Sequence, residues 1–297
     1  MRFLTYGSTN IDLIYTVDHI LKEGETLHSS SLIKGAGGKG ANQSTALAKA
    51  GSEVYHAGKI GEDGDFLLEL LQGWGVDTRY VRRYDGPTGQ ALIQVDRHGQ
   101  NAIILFGGGN KVIEKTEIDQ TLAEFGQKDM LVLQNEIVHT DYLIIEAKKR
   151  GMQICMNVAP FDPSVFDLPL HLLDILAVNE IEGAALAKMN ADAPFEEILD
   201  ALVAQYPKTQ ILLTVGKAGS YWAKEEKRIH QPIIDTTVVD TTAAGDTFIG
   251  YFLSSLGEGR SAEEALRWAT AASAITVSRS GAMASIPYAN EVQSFIQ

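Results

Sequence analysis

The run Val239-Asp240-Thr241-Thr242-Ala243-Ala244-Gly245-Asp246-Thr247-Phe248 sets a carboxylate directly after three small residues. Small side chains from Ala243 to Gly245 at a helix start let successive backbone N–H groups converge on one point. Such a nest, with the helix dipole behind it, attracts anionic oxygen. An Asp in a first helical turn is by itself a common capping or dipole-complementing residue. Beside an anion hole, however, a carboxylate repels phosphate unless it has a task, and accepting a proton from an attacking hydroxyl is such a task. These residue types point to phosphoryl transfer, with Asp246 as base next to a hole made by Ala243, Ala244 and Gly245.

A second segment, Gly35-Ala36-Gly37-Gly38-Lys39-Gly40-Ala41-Asn42, opens another helix. Gly35, Gly37 and Gly40 formally satisfy the G-x-G-x-x-G dinucleotide fingerprint. That fingerprint should follow the first strand of a βαβ unit, whereas the first clear strand, 2–6, lies well upstream. It also has no use for Lys39. The Walker A pattern fails too, since Gly40 follows Lys39 and Ile33 stands where a glycine is due. Glycines before a helix mean either close approach of backbone to a polar ligand or a tight turn packed on a neighbouring strand. Asn42 can donate and accept, and Lys39 adds a point charge. Asn179 and Glu182 sit three apart at another helix start, where both could reach one ion or its waters; the same spacing is also a capping box.

The elements that must position these groups follow from hydrophobic periodicity. Residues 2–6 read as a strand, 41–51 and 65–73 as helices, with Asp65 available as a cap. Residues 91–95 and 101–105 flank the turn Asp96-Arg97-His98-Gly99 and read as a hairpin. From residue 110 onward, strands at 130–133, 153–158, 175–178 and 211–215 alternate with helices at 141–150, near 180–189, 194–205, 245–257 and 261–279. That alternation implies α/β architecture, a mostly parallel sheet covered by helices on both faces, with ligands beyond the carboxyl ends of the strands. The hairpin material forms a small antiparallel lid on one large domain.

Composition bounds the function. The chain has 297 residues, 45% hydrophobic and 21% charged, enough for a sizeable core in one large domain or two modest ones. A net charge of −13 with no basic stripe argues against nucleic acid as a partner. Cys155 is the only cysteine and lies in an apolar run, so no intrachain disulfide forms and a buried small hydrophobe is expected. The apolar run at the N-terminus is too short for a signal peptide, and no stretch approaches a membrane span, so a cytoplasmic enzyme is expected.

Taken together, the motifs resemble the ribokinase family, also called the PfkB-type carbohydrate kinases, and stand nearest its ribokinase branch. Gly37 to Gln43 is similar to the family's first signature and Asp240 to Phe248 to its second. The blocks Gly7 to Asp12, Asn179 to Glu182 and Thr214 to Gly219 fall in the family's order, so the resemblance runs from about residue 3 to residue 287. It implies a ribokinase-like fold over residues 1–297, with a lid from about 12–36 and 88–106 closing over the sugar and packing against a second lid in a homodimer. It implies that Asp246 is the catalytic base, with Gly245 and Ala244 in the anion hole, and that Asn10, Asp12, Gly38, Lys39, Asn42 and Glu136 bind sugar hydroxyls. Asn179, Thr214, Gly216, Gly219 and Thr270 match nucleotide-binding positions, and Glu182 the shell around Mg2+. Asp240, Thr242, Thr276, Arg279, Gly281 and Ser285 match a K+ site, several through backbone carbonyls.

The resemblance thus implies ATP-dependent phosphorylation of a free sugar at a primary hydroxyl, ribose first, with Mg2+ and activating K+. Fructose, another ketose or a nucleoside is the alternative within the family. A catalytically silent sensor and a nicotinamide oxidoreductase are the rivals outside it. Gln90 and Gln94 alternate with Ala91, Ile93 and Val95, and an inward-facing polar pair would reshape the sugar pocket.

Overall fold

A computed structural model describes residues 1–297. In chain order the strands are β1 Arg2–Tyr6, β2 Asn10–Thr16, β3 Ser31–Gly37, β4 Glu53–Ile60, β5 Asp77–Arg83, β6 Gly89–Val95, β7 Asn101–Phe106, β8 Asp129–Gln134, β9 Gln153–Asn157, β10 Ile175–Asn179, β11 Gln210–Thr214, β12 Ser220–Lys224 and β13 Lys227–Gln231. The helices are α1 Lys39–Lys49, α2 Asp65–Gly73, α3 Lys115–Leu122, α4 Thr140–Lys149, α5 Glu180–Leu186, α6 Phe195–Gln205, α7 Ala244–Gly257, α8 Ala262–Val277 and α9 Ala289–Ile296.

Continuous apolar runs such as Met130-Leu131-Val132-Leu133 make strands that are buried on both faces. Nine strands form one sheet in the order β13-β12-β11-β10-β9-β8-β1-β4-β5, with the apolar ones inside it. Pairing is parallel from β11 to β5, and β12 and β13 add an antiparallel edge. Successive residues feed opposite faces. Leu4, Leu131, Leu133, Ile154 and Leu176 pack with residues of α3 to α6 on one side. Phe3, Met130, Val132, Cys155 and Ala177 pack with α1, α7 and α8 on the other. Cys155 is fully buried and burial raises its thiol pKa, as suits a core residue rather than a nucleophile.

The remaining strands form a second sheet in the order β3-β2-β6-β7. The hairpin of β6 and β7 is antiparallel, as is β2 with β3, but β2 runs parallel to β6. The small antiparallel lid expected from sequence is thus present, with one parallel pair, because β2 and β6 both leave the large sheet in the same direction. Asp12 is in register with Ala91, which puts Ala91 and Ile93 on its face and Gln90 and Gln94 on the opposite face. The polar pair does not line the Asp12 side, and Gln94 instead accepts a hydrogen bond from the Leu21 amide at 2.9 Å.

Element ends differ from expectation for local reasons. A 3-10 turn over Glu62–Gly64 runs straight into α2, so Gly64 is the cap. Asp65, expected in that role, is already helical and pairs with Arg83. α1 starts two residues before the expected position, at Lys39. α5 stops at Leu186, and Lys188 then takes a left-handed φ of 56°. No helix is long and apolar enough to cross a membrane.

Candidate active site

A cavity of about 220 Å³ opens beyond the carboxyl ends of β9, β10 and β11. Its wall brings together Lys39 from α1, Asn179 and Thr214 from the ends of β10 and β11, Glu182 from the first turn of α5, and Ala243 to Asp246 from the start of α7. Thus the two signatures, some 200 residues apart in sequence, meet in one place.

The start of α7 explains the run of small residues. Ala243 caps the helix with φ 62° and ψ 6°, a left-handed conformation that costs an alanine roughly 1 kcal/mol. The Ala244 N–H is engaged with Thr241 O at 3.2 Å, while the N–H groups of Gly245 and Asp246 have no protein acceptor. Those two amides, with the helix dipole, make an anion-binding corner. A Cβ added at Gly245 would meet no protein atom within 4 Å, so packing does not require glycine there.

Asp246 is buried, and both its oxygens are held: Asn42 Nδ2 donates to Oδ2 at 2.8 Å and Gln43 Nε2 to Oδ1 at 2.9 Å. Lys39 faces the same space. Burial works against its ammonium, but the carboxylates of Asp246, Glu136 and Glu182 outweigh that, and its pKa is raised. One cation thus stands among three carboxylates.

The glycine segment serves both readings left open above. Gly38, at φ 94°, precedes α1, and a side chain there would strike Ser8 O and Asn10 N; Gly40 lies against the backbone of Gly7 and Ser8. These glycines let α1 begin in contact with the chain leaving β1, which is the tight-turn reading. Lys39, between them, lines the cavity, and Asn42, beyond them, reaches Asp246.

Next to this lies a second group of polar residues. Glu136, just past β8, accepts from the Lys39 N–H at 3.1 Å and from the Ser8 hydroxyl, and so caps α1. Asp12 on β2 is buried, and burial, then the nearby Glu136 charge, pushes its pKa up to about 7. Asn10 accepts from Asn110 Nδ2 at 2.7 Å, and Asn110 also receives the Thr9 amide.

At the nucleotide-type positions, Asn179 and Glu182 form a reciprocal capping box at 2.8 and 2.9 Å, yet both line the cavity. Burial, with Glu180 and Asp246 adding repulsion, raises the Glu182 pKa despite the Asn179 amide and Lys39. A carboxylate in that state suits a nearby cation, and its second oxygen makes no protein hydrogen bond. Gly216 and Gly219 take φ of 51° and 99° in the turn after β11. Thr270 is buried on α8 with its hydroxyl unpartnered, outside the cavity wall.

The third cluster is built on Asp240. Burial works against its carboxylate, but the Thr242 hydroxyl, the Thr242 amide and the Gly281 amide lower its pKa. Thr276 is turned into α7, where its hydroxyl meets Thr247 at 3.2 Å, and Arg279 pairs with Glu291. Ser285 donates to Ala282 O at 2.7 Å. Any cation here would meet Asp240 and backbone carbonyls rather than these three side chains. No group of three or more His, Cys, Asp or Glu side chains converges to hold a metal by protein ligands alone.

Four residues escaped the sequence reading. Gln43 lies inside the first signature, Gln134 closes the apolar strand β8, Asn157 closes β9 and lines the cavity, and Asn110 follows three glycines. A polar residue at the carboxyl end of an otherwise apolar strand was the available signal.

Residues 2–289 match the model of the family described as "pfkB family carbohydrate kinase". The ribokinase of Staphylococcus aureus (strain COL) is 35% identical over 302 residues, covering 98% of each chain. The deoxyribokinase of Salmonella typhi is 31% identical over 306 residues, covering 100% of this chain and 99% of its own. The solved structure of Arabidopsis thaliana ribokinase complexed with ribose and ATP superposes with a TM-score of 0.88 at 34% identity, covering 99% and 98% of the two chains.

Proposed function

The chain belongs to the pfkB family of carbohydrate kinases, and from that premise we propose that it transfers the γ-phosphoryl group of ATP to the primary hydroxyl of ribose. The observation that carries this is the corner at the start of α7: two unpartnered backbone N–H groups beside a carboxylate that α1 holds in place. Asp12, Asn10, Asn42 and the α1 start at Gly38 and Lys39 hold the sugar, with Glu136 fixing that start from behind. Asp246 takes the hydroxyl proton as the sugar oxygen forms its bond to the γ-phosphorus and the bridging oxygen leaves with ADP. The Gly245 and Asp246 amides stabilise the charge on the transferring oxygens. Because the transition state is loose, alignment of these groups matters as much as basicity.

Asn179, Thr214 and the turn at Gly216 and Gly219 receive the nucleotide, with Thr270 more remote on α8. Glu182 is the residue that would hold Mg2+ through its waters; the ion, when bound, neutralises phosphate charge. The Asp240 cluster, with the carbonyls near Thr276, Arg279, Gly281 and Ser285, is the K+ site. We further assign residues 1–297 to one catalytic domain whose lid, about 12–36 and 88–106, excludes water on closing, a homodimer through the lids, and a cytoplasmic setting. A 2-deoxyribose acceptor is the second reading, favoured by the full-length match to a deoxyribokinase.

The test is ADP release with magnesium-ATP across ribose, 2-deoxyribose, fructose, adenosine and fructose 6-phosphate, in potassium and in a large organic cation. Ribose gives the highest kcat/KM, and potassium the faster rate. Preference for 2-deoxyribose or fructose overturns the substrate assignment, and equal rates in the two cations overturn the K+ site.

A further inference from the structure

The Asp246 carboxylate is held from behind by groups that do not face the cavity. Gln43 and Gln134 are fully buried. Gln134 Nε2 donates to Gln43 Oε1 at 2.7 Å, and Gln43 Nε2 donates to Asp246 Oδ1 at 2.9 Å. The polarity of this chain follows from its end. An ionised carboxylate only accepts, so Gln43 must turn its nitrogen to Asp246, and its oxygen then requires a donor from Gln134. That choice leaves Gln134 Oε1 buried and without a partner, lying so close to Gly7 that a Cβ there would fall 2.1 Å away. Two buried amides arranged with one acceptor unsatisfied are a poor solution for packing alone; what an apolar pair of the same volume would lose is the donor to Asp246 Oδ1.

We propose that Gln134 and Gln43 are positioning residues, an amide relay from the end of β8 through α1 that fixes the rotation of the Asp246 carboxylate. Asn42 does something different. It donates to the other oxygen, but its own Oδ1 is buried and unpartnered, so it can exchange toward a substrate hydroxyl while Gln43 keeps its hold. Gln43 touches neither sugar nor nucleotide on this arrangement and acts through Asp246 alone. The charged groups that share the space with Asp246 are Lys39 on α1, Glu182 on α5 and Glu136 after β8. None of them bonds to either glutamine, so changing the relay leaves them in place.

The inference rests on Asp246 being the base, and the experiment separates the two. Gln43→Met and Gln134→Met keep side-chain length and remove the amides. Single-turnover phosphorylation and steady-state kcat are measured against pH at saturating sugar, which keeps Asp12 out of the profile. Gln43→Met lowers kcat by about 10–100-fold, leaves KM for sugar and ATP within about threefold, and moves the acid limb of kcat to higher pH by about one unit. Gln134→Met shifts both in the same direction by less, and the double variant is no worse than Gln43→Met, because Gln134 works only through Gln43. Independent additive losses, or a change in KM alone, overturn the relay. Asp246→Asn is run beside them: near-normal turnover there removes the base assignment, whereas an inactive Asp246→Asn with a wild-type Gln43→Met profile removes the relay only. If Gln43→Met does not fold, the acid limb of Gln134→Met decides by its shift or its absence.

Discussion

Gly245 and Asp12 separate structural from chemical demands at single residues. A Cβ at Gly245 meets no protein atom, and alanine in a helix is favoured over glycine by about 0.5–1 kcal/mol. Gly245→Ala therefore melts at the same or a higher temperature, while the methyl crowds the oxygens bound at the corner and turnover falls by about 100-fold or more. Calorimetry and ADP release on one preparation check this, and full activity would show the corner has no ligand. Asp12 sets a pH dependence. With its pKa near 7, it loses its charge as pH falls through that value, so KM for the sugar rises below about pH 7, and Asp12→Asn flattens the profile at a weaker affinity. Stability runs the other way. A folded-state pKa above the unfolded 3.8 contributes fully below about pH 4 and is lost as pH rises through about 7. Asp12→Asn is thus more stable than the parent at pH 8, by about 1–3 kcal/mol, in denaturant titrations. The residues legible in sequence, Lys39, Asn42, Asn179, Glu182 and Asp246, had local signals in glycines or in spacing. Gln43 had none, because its partner lies 203 residues away, and Gln134, whose partner lies 91 residues away, had only its place at the end of an apolar strand.

Helices α1 and α7 carry the two halves of the site, and their contact sets its geometry. At Gly250 a Cβ would fall 2.4 Å from Ala46 Cβ and 3.0 Å from Leu47 N. Gly250→Ala must push the helices apart, costing about 1–3 kcal/mol in stability and lowering kcat as Asp246 moves from Asn42 and Gln43. A variant as stable and active as the parent would sink this account. The same scale shows which elements sequence could reveal. The apolar strands β1, β8, β10 and β11 and the amphipathic helices between them were legible. β4 was not, because His56 and Lys59 interrupt it; each is buried, His56 between Ser44 and Thr9, Lys59 against Glu117 and Val112 O. Burial lowers the His56 pKa to about 4, so it remains a neutral ring between hydroxyls. β12 and β13 were hidden by the charged turn Lys224-Glu225-Glu226-Lys227, in which Glu225 takes φ 52°.

For the whole molecule, the four-stranded sheet is the unfinished surface. Leu13, Leu92 and Ile104 stand in register on the face opposite Asp12, with Leu32 and Phe106 beside them, and Leu32, Ile104 and Phe106 are each more than half exposed. An exposed apolar sheet face of this kind fits a second copy of itself. Light scattering finds a dimer, and Ile104→Lys gives a monomer; a monomeric parent at micromolar concentration refutes the lid-to-lid assembly. The order of the large sheet bears on how such a molecule comes into being. β1 sits between β4 and β8, so one edge of β1 stays unpaired until residue 134 has been made. The groups assigned to the sugar, from Asn10 to Asn42, and Glu136 behind them are synthesised before any assigned to the nucleotide, from Asn179 onward, and Asp246 comes later still. Synthesis from the N-terminus thus delivers the residues assigned to the acceptor before those assigned to the nucleotide, and the proposed base last.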